Sequence, residues 1–190
     1  MNVYILLGTG FEEIEALAPC DLLRRAGVEV RLVGLSGTRI IGSHKISVET
    51  DLTVEEASAT ELPDVLVLPG GLGGVRSILG SELALELIRR AWQAGKYVAA
   101  ICAAPTVLAS LGLTEGKRAV CYPGMEERMA GAIMVDAPVV RDGKLLTGRA
   151  AGSAMDFALA LVELTAGAAE AERIAKGVVY RAWEEKHGGK

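Results

Sequence analysis

Apolar positions along the chain come in two alternating rhythms, short unbroken runs and longer stretches with helical spacing. VYILL at 3–7 predicts a first strand, and the spacing over 12–26 predicts a helix closed by Gly27. VEVRLVGL at 28–35 predicts a second strand. A small hairpin follows, with 38–42 and 45–50 pairing around Ser43-His44. DVLVL at 64–68 predicts a buried strand running into the glycine-rich turn PGGLGG at 69–74. Residues 75–94 read as helical with a break at Gly80-Ser81, where Ser81 caps the longer piece and Gly95 supplies the stop. YVAAI at 97–101 predicts another buried strand, and Ala104 to Leu111 a helix. Beyond a looser region, 138–141 and 144–147 flank Asp142-Gly143, a hairpin signal, and 152–165 and the tail from 168 read as helices.

Strand–helix–strand order predicts an α/β fold: a three-layer sandwich with a mostly parallel sheet and helices on both faces. No internal repeat or linker divides the chain, so residues 1–190 are expected to form a single domain. In such sheets the working site lies beyond the carboxyl ends of the strands, here Leu7, Leu68 and Ile101.

Composition narrows the class. Hydrophobic residues make up 51% of the chain but aromatics only 4%, so Val, Leu, Ile and Ala must build the core. A net charge of −4 gives no electrostatic case for a nucleic acid or an anionic membrane. The densest basic pairs, Arg24-Arg25 and Arg89-Arg90, close expected helices, where they complement the dipole. The opening segment has no basic n-region, and its apolar run from Val3 to Leu7 is too short for a signal sequence or a membrane span. Three cysteines, Cys20, Cys102 and Cys121, are an odd number at no metal-ligand spacing. That usage fits free thiols in a reducing cytoplasm, and no metal or cofactor is expected.

Each strand end offers different chemistry. GTGFEE at 8–13 lacks the third glycine of a dinucleotide fingerprint, since Glu13 stands there, and its acidic side chains would repel a pyrophosphate. Glu12 and Glu13 are accounted for by the helix dipole, whereas Glu15 lies a turn further in among apolar neighbours. PGGLGG at 69–74 exposes backbone N–H groups but has no Gly-Lys-Ser/Thr, so it is not a phosphate loop. In AAICAAP at 99–105, Cys102 follows a buried strand at once, and Pro105 suits a first helical turn. A tight strand–nucleophile–helix turn needs such small neighbours, and a helix N-terminus favours thiolate. Cys20 reads as a core residue.

Taken together, G-x-E-E-x-E (10–15), D-L-L-R-R-A-G (21–27), L-P-G-G (68–71), A-A-I-C-A-A-P (99–105) and G-R-A-A-G-S with D-F-A (148–158) resemble the ThiJ/PfpI superfamily. The resemblance is to its DJ-type branch of ThiJ-like and parkinsonism-associated proteins, and runs from Val3 to about Gly167. It implies a flavodoxin-like fold, commonly a homodimer with the first helix at the interface. It also implies that Cys102 is a reactive cysteine at a nucleophile elbow, hydrogen-bonded by Glu15, with the Gly71 and Ala103 N–H groups forming an oxyanion-hole-like pocket. A protonated Glu15 donating to sulfur would lower the cysteine pKa, so Cys102 is expected as a thiolate beside a neutral Glu15.

The chain also departs from that pattern. Tyr122-Pro123 stands where vertebrate-type relatives carry a histidine before proline, and a tyrosine is a poor base near neutrality. His44 falls near an arginine position of relatives and is read as an exposed loop residue. His187 reads as solvated. Arg149, in the 148–153 loop, is a candidate for holding an anionic group, with ordering of the loop backbone as the alternative.

The function implied is a cofactor-independent glyoxalase or deglycase acting on small reactive α-oxoaldehydes such as methylglyoxal, or their early adducts. The alternative is an oxidative-stress sensor or chaperone using the same cysteine. A PfpI-type peptidase ranks below both, since Ala103 stands where those relatives place a histidine. A glutamine amidotransferase is excluded by the lack of a late His-x-Glu. The thiazole-biosynthesis label carried by some ThiJ relatives finds no supporting residues.

Overall fold

Residues 1–180 are described in the computed structural model, so His187 lies outside them. In chain order the first half contains β1 (Asn2–Leu7), α1 (Glu13–Arg25), β2 (Glu29–Gly34), β3 (Arg39–Ile41), β4 (Ser47–Glu49), β5 (Leu52–Thr53), α2 (Val54–Ala59), β6 (Val65–Leu68), α3 (Leu72–Leu79) and α4 (Glu82–Gln93). The second half contains β7 (Tyr97–Ile101), α5 (Pro105–Ser110), β8 (Arg118–Ala119), β9 (Ile133–Met134), β10 (Val139–Asp142), β11 (Leu145–Gly148), α6 (Ala154–Ala166) and α7 (Ala168–Gly177).

Seven strands make one sheet in the order β10-β11-β7-β6-β1-β2-β5, and only the β10–β11 pair is antiparallel. The central strands are apolar on both faces because both faces are covered. Val3, Ile5 and Leu7 of β1 face one layer with α1, α6 and α7; Tyr4 and Leu6 face the other, with α2 to α5. The period-two alternation of a strand thus serves two cores. The expected α/β sandwich is the observed fold.

Three local differences have physical causes, and one expected feature is confirmed. The helix expected from residue 75 begins at Leu72, because Gly71 takes φ +82° as its N-cap and lets the first turn form inside the glycine segment. The break at Gly80-Ser81 is present, with the Ser81 hydroxyl accepting from the Ala84 N–H at 3.3 Å. The second hairpin turns one residue later than expected: Asp142 pairs with Leu145, and Gly143 at φ +61° takes the first central position. Residues 52–59 form β5 and α2, for which no element was expected. Their signal was the capping box of Thr53 and Glu56, whose side chain and backbone groups bond reciprocally.

The order of the sheet places the carboxyl ends of β1, β6 and β7 side by side. Chain direction across the sheet reverses between β1 and β6, which opens a crevice there. Phe157 of α6 lies fully buried beneath the end of β11, tight against Gly148. Phe157→Ala is expected to lower the free energy of unfolding by about 3–5 kcal/mol, read from urea denaturation.

Candidate active site

Cys102 adopts φ +65°, a left-handed backbone that a non-glycine residue holds only when its surroundings enforce it, at a cost of roughly 1–2 kcal/mol. Enforcement comes from both sides. Its N–H donates to the Gly148 carbonyl at 3.0 Å, and its carbonyl accepts the Tyr122 N–H at 2.7 Å. Pro105 opens α5 three residues on. The sharp turn leaves the side chain half-buried, at the floor of a cavity of about 570 Å³. The cavity is also lined by Gly71, Ala103, Tyr122, His44 and Glu12.

Glu15 reaches the same point from α1. It is wholly buried, and its Oε2 accepts the Gly70 N–H at 2.8 Å. Oε1 is buried without a hydrogen-bond partner, and the side chain that the carboxyl interacts with is the Cys102 thiol. The gap between acid and thiol is closed off by Gly70. A Cβ there would stand 2.6 Å from Glu15 Oε2 and 2.7 Å from Cys102 Cβ, so only glycine lets the two side chains share the space.

Burial pushes the Glu15 carboxyl up to about 7, with the neighbouring Glu12 charge adding to the rise; bonds from Cys102 and the Gly70 N–H pull the other way. The Cys102 thiol is pushed up to about 12, first by burial and then by the Glu15 charge. The Ala103 and Gly71 N–H groups face the sulfur and act to lower it, but they lose to those two effects. Burial thus works against the expected thiolate at Cys102, while the Gly71 and Ala103 N–H groups work for it. Both groups are raised by burial and by each other, so near neutral pH the pair shares one proton and at most one negative charge. Moving the shared proton from sulfur to Glu15 makes the thiolate without any exchange with solvent.

Glu13 requires a correction. It is almost fully buried, and complementing the helix dipole does not describe it. Its carboxylate accepts the His44 N–H at 2.7 Å and the Ser43 hydroxyl at 3.1 Å, and sits 3.0 Å from His44 Nδ1. Burial pushes its carboxyl up, but these donors outweigh burial and hold it at about 2, while His44 is raised in return. Glu13 thus clamps the β3–β4 hairpin over the start of α1. Glu12, Glu13 and His44 are close enough to suggest a metal cluster, but the Glu13 oxygens are already occupied by hairpin donors.

The remaining candidates divide. His44, 69% exposed at its side chain, and Tyr122 both stand at the Cys102 cavity. Arg149 does not: it turns outward to Asp136, 2.7 Å away, beside a separate cavity of about 320 Å³ that also holds the buried Cys121. Burial pushes the Cys121 thiol up to about 11, and Cys20 is likewise buried and raised.

Fold and site define an α/β protein of the nucleophile-elbow type, built on a cysteine and a buried glutamate. Residues 1–164 match the DJ-1/PfpI family model. A deglycase of Pyrococcus abyssi is 39% identical over 154 residues, covering 80% of this chain and 92% of its own length. The crystal structure of Drosophila melanogaster DJ-1beta is 38% identical and superposes with a TM-score of 0.90 over 94% of this chain and 98% of its own. Oxidised Toxoplasma gondii DJ-1 is 29% identical, with a TM-score of 0.89 over 94% and 97%. The chain belongs to the DJ-1/PfpI family.

A carboxyl raised by burial contributes stability that is full below its ordinary value near 4.5 and is lost as pH rises through about 7. Glu15→Gln, which can still accept from Gly70, is expected to match the parent at pH 4 and exceed it at pH 8 by about 1–3 kcal/mol. Denaturant unfolding at the two pH values measures this.

Proposed function

We propose that the chain is a cofactor-independent, cysteine-dependent enzyme of glyoxalase or deglycase type, acting on methylglyoxal-like α-oxoaldehydes or their early adducts. The observation that carries this reading is Glu15. It is a buried carboxyl raised to about 7 against a thiol at the floor of an open cavity, the value a general base needs near neutrality. The deglycase name of the Pyrococcus relative supports the same class.

The chemistry follows from the single shared proton. Ionised Glu15 takes the thiol proton as Cys102 sulfur attacks the aldehyde carbon, and the carbonyl electrons pass to oxygen. That oxygen is protonated, giving a hemithioacetal. The Gly71 and Ala103 N–H groups, now directed at the sulfur, steady the negative charge as it moves. Glu15 then removes the proton from the former aldehyde carbon and returns one to the adjacent carbon. The result is the thioester of a 2-hydroxy acid, which water cleaves to restore the thiol. Tyr122, through its hydroxyl, and His44 are accessory groups at the rim, and neither is needed as the base. Arg149 has no part in the step.

The alternative use of the same cysteine, as an oxidative-stress sensor, draws support from a relative solved in an oxidised form. Against it as the resting role, the thiol is raised, and oxidants attack thiolate. The reading includes a reducing cytoplasmic setting, which suits three free thiols. Among the described residues no helix is long and apolar enough to cross a membrane. It also includes a homodimer, because Ile14 of α1 and Ile41 and Ile46 of the neighbouring hairpin are each at least half exposed.

Lactate formation from methylglyoxal tests the reading. Cys102→Ser should abolish it while leaving the fold intact, and Glu15→Gln should lower turnover by about 10²-fold or more. In the parent, kcat/KM should rise through a single ionisation near pH 7 and then level off. Lactate production that survives Cys102→Ser would defeat the proposal. Ile14→Glu should shift the sedimentation coefficient from dimer to monomer; an unchanged coefficient would place the interface elsewhere.

A further inference from the structure

The cavity over Cys102 is larger than a small aldehyde requires. At about 570 Å³ it falls in the range of roughly 300–1,000 Å³ that encloses drug-sized ligands, whereas a three-carbon oxoaldehyde occupies only its floor. What lines the remaining space bears on what else the substrate carries. Leu72, Met125 and Tyr122 supply apolar wall. Arg76, one turn into α3, also lines it. Among the described residues, no hydrogen bond or ion pair engages its guanidinium.

The other charges in the cavity do not satisfy that arginine. The Glu12 carboxylate takes the Ser43 hydroxyl at 3.0 Å and lies 3.6 Å from His44 Nδ1. His44 is held at Nδ1 by Glu13, behind the hairpin. The start of α3, at Gly71 and Leu72, adds the positive end of a helix dipole to the same wall. One cation is left without a counter-charge in a pocket whose floor is a nucleophile.

We propose that this cavity takes an α-oxo carbonyl compound bearing an anionic group, a carboxylate or a phosphate, at the end remote from the reacting carbon, and that Arg76 is the specificity-determining residue that receives it. The carbonyl half rests on the function proposed above; the anion half rests on Arg76 alone. A guanidinium presents paired N–H donors in a plane, which suits either oxyanion better than a point charge would. The carbonyl would lie over Cys102 and the anion over α3, with the apolar wall between them.

Two near-isosteric electrophiles test the anion half without any turnover. Iodoacetate is anionic and iodoacetamide neutral, and each alkylates sulfur with loss of iodide. The ratio of their rate constants at Cys102, read by peptide mass spectrometry, is compared between the parent, Arg76→Gln and Arg76→Lys. The exposed position of Arg76 makes both variants compatible with the fold, and their thermal unfolding midpoints check this. The iodoacetate-to-iodoacetamide ratio is expected to fall about three- to tenfold in Arg76→Gln and to recover in part in Arg76→Lys. Protection of Cys102 by inorganic phosphate or by acetate shows which anion class the site prefers. In turnover, kcat/KM for 4,5-dioxopentanoate relative to methylglyoxal should fall by a similar factor in Arg76→Gln, mostly through KM.

An alkylation ratio unmoved by Arg76→Gln overturns the inference, whether or not methylglyoxal is turned over. A ratio that falls while neither aldehyde yields a hydroxy acid overturns the glyoxalase reading and upholds anion recognition by Arg76.

Discussion

A carboxyl group buried against a thiol can leave at most one negative charge between them near neutral pH, and much of this molecule is arranged around that limit. Glu15 has one backbone donor, the Gly70 N–H, and otherwise faces Cys102. With so little to stabilise its charge, the carboxyl is raised to about 7, and the thiol is raised further by the charge that Glu15 then carries. Burial and the Glu15 charge both oppose a thiolate here. The helix-start N–H groups are present at Gly71 and Ala103, but burial and the neighbouring carboxylate dominate them.

Holding that pair costs stability, and the surrounding fold supplies the compensation. Cys102 sits in a left-handed backbone fixed by hydrogen bonds to Gly148 and Tyr122. Glu15 sits on a helix whose start is tied down by Glu13, the hairpin clamp, and by the Glu12 N–H bonded to the Gly70 carbonyl. The segments after β1 and β6 are thereby stitched together, as are those after β7 and at the end of β11, all near Cys102. Two acids two residues apart on one helix behave in opposite ways. Glu13 is rich in donors and held low, while Glu15 is poor in donors and held high. Burial alone does not set a carboxyl's role; the number of donors it meets does.

Family membership places this chain among proteins with a shared scaffold. Tyr122 and His44 stand at the rim of the Cys102 cavity, and Arg149 is turned away from it into an ion pair.

Much of the fold was legible along the chain. Unbroken aliphatic runs at 3–7, 64–68 and 97–101 announce strands covered on both faces, and all three lie inside the sheet. Cys102 could be singled out because a small-residue turn between a buried run and Pro105 has few other uses. Glu15 stood out as an acid in an otherwise apolar stretch of helix. Short elements such as β8 and β9 left no trace, since two-residue strands carry no period to read. By itself, then, the sequence determined the layer architecture and singled out Cys102 and Glu15 as candidates, because periodicity and local turn chemistry are properties of neighbours along the chain. Only the tertiary structure decided which acid would hold its proton, that Glu13 would bind a hairpin some thirty residues away, and that Arg149 would point outward. Those outcomes depend on how many donors and how much water each group meets, and both are set by segments distant in sequence.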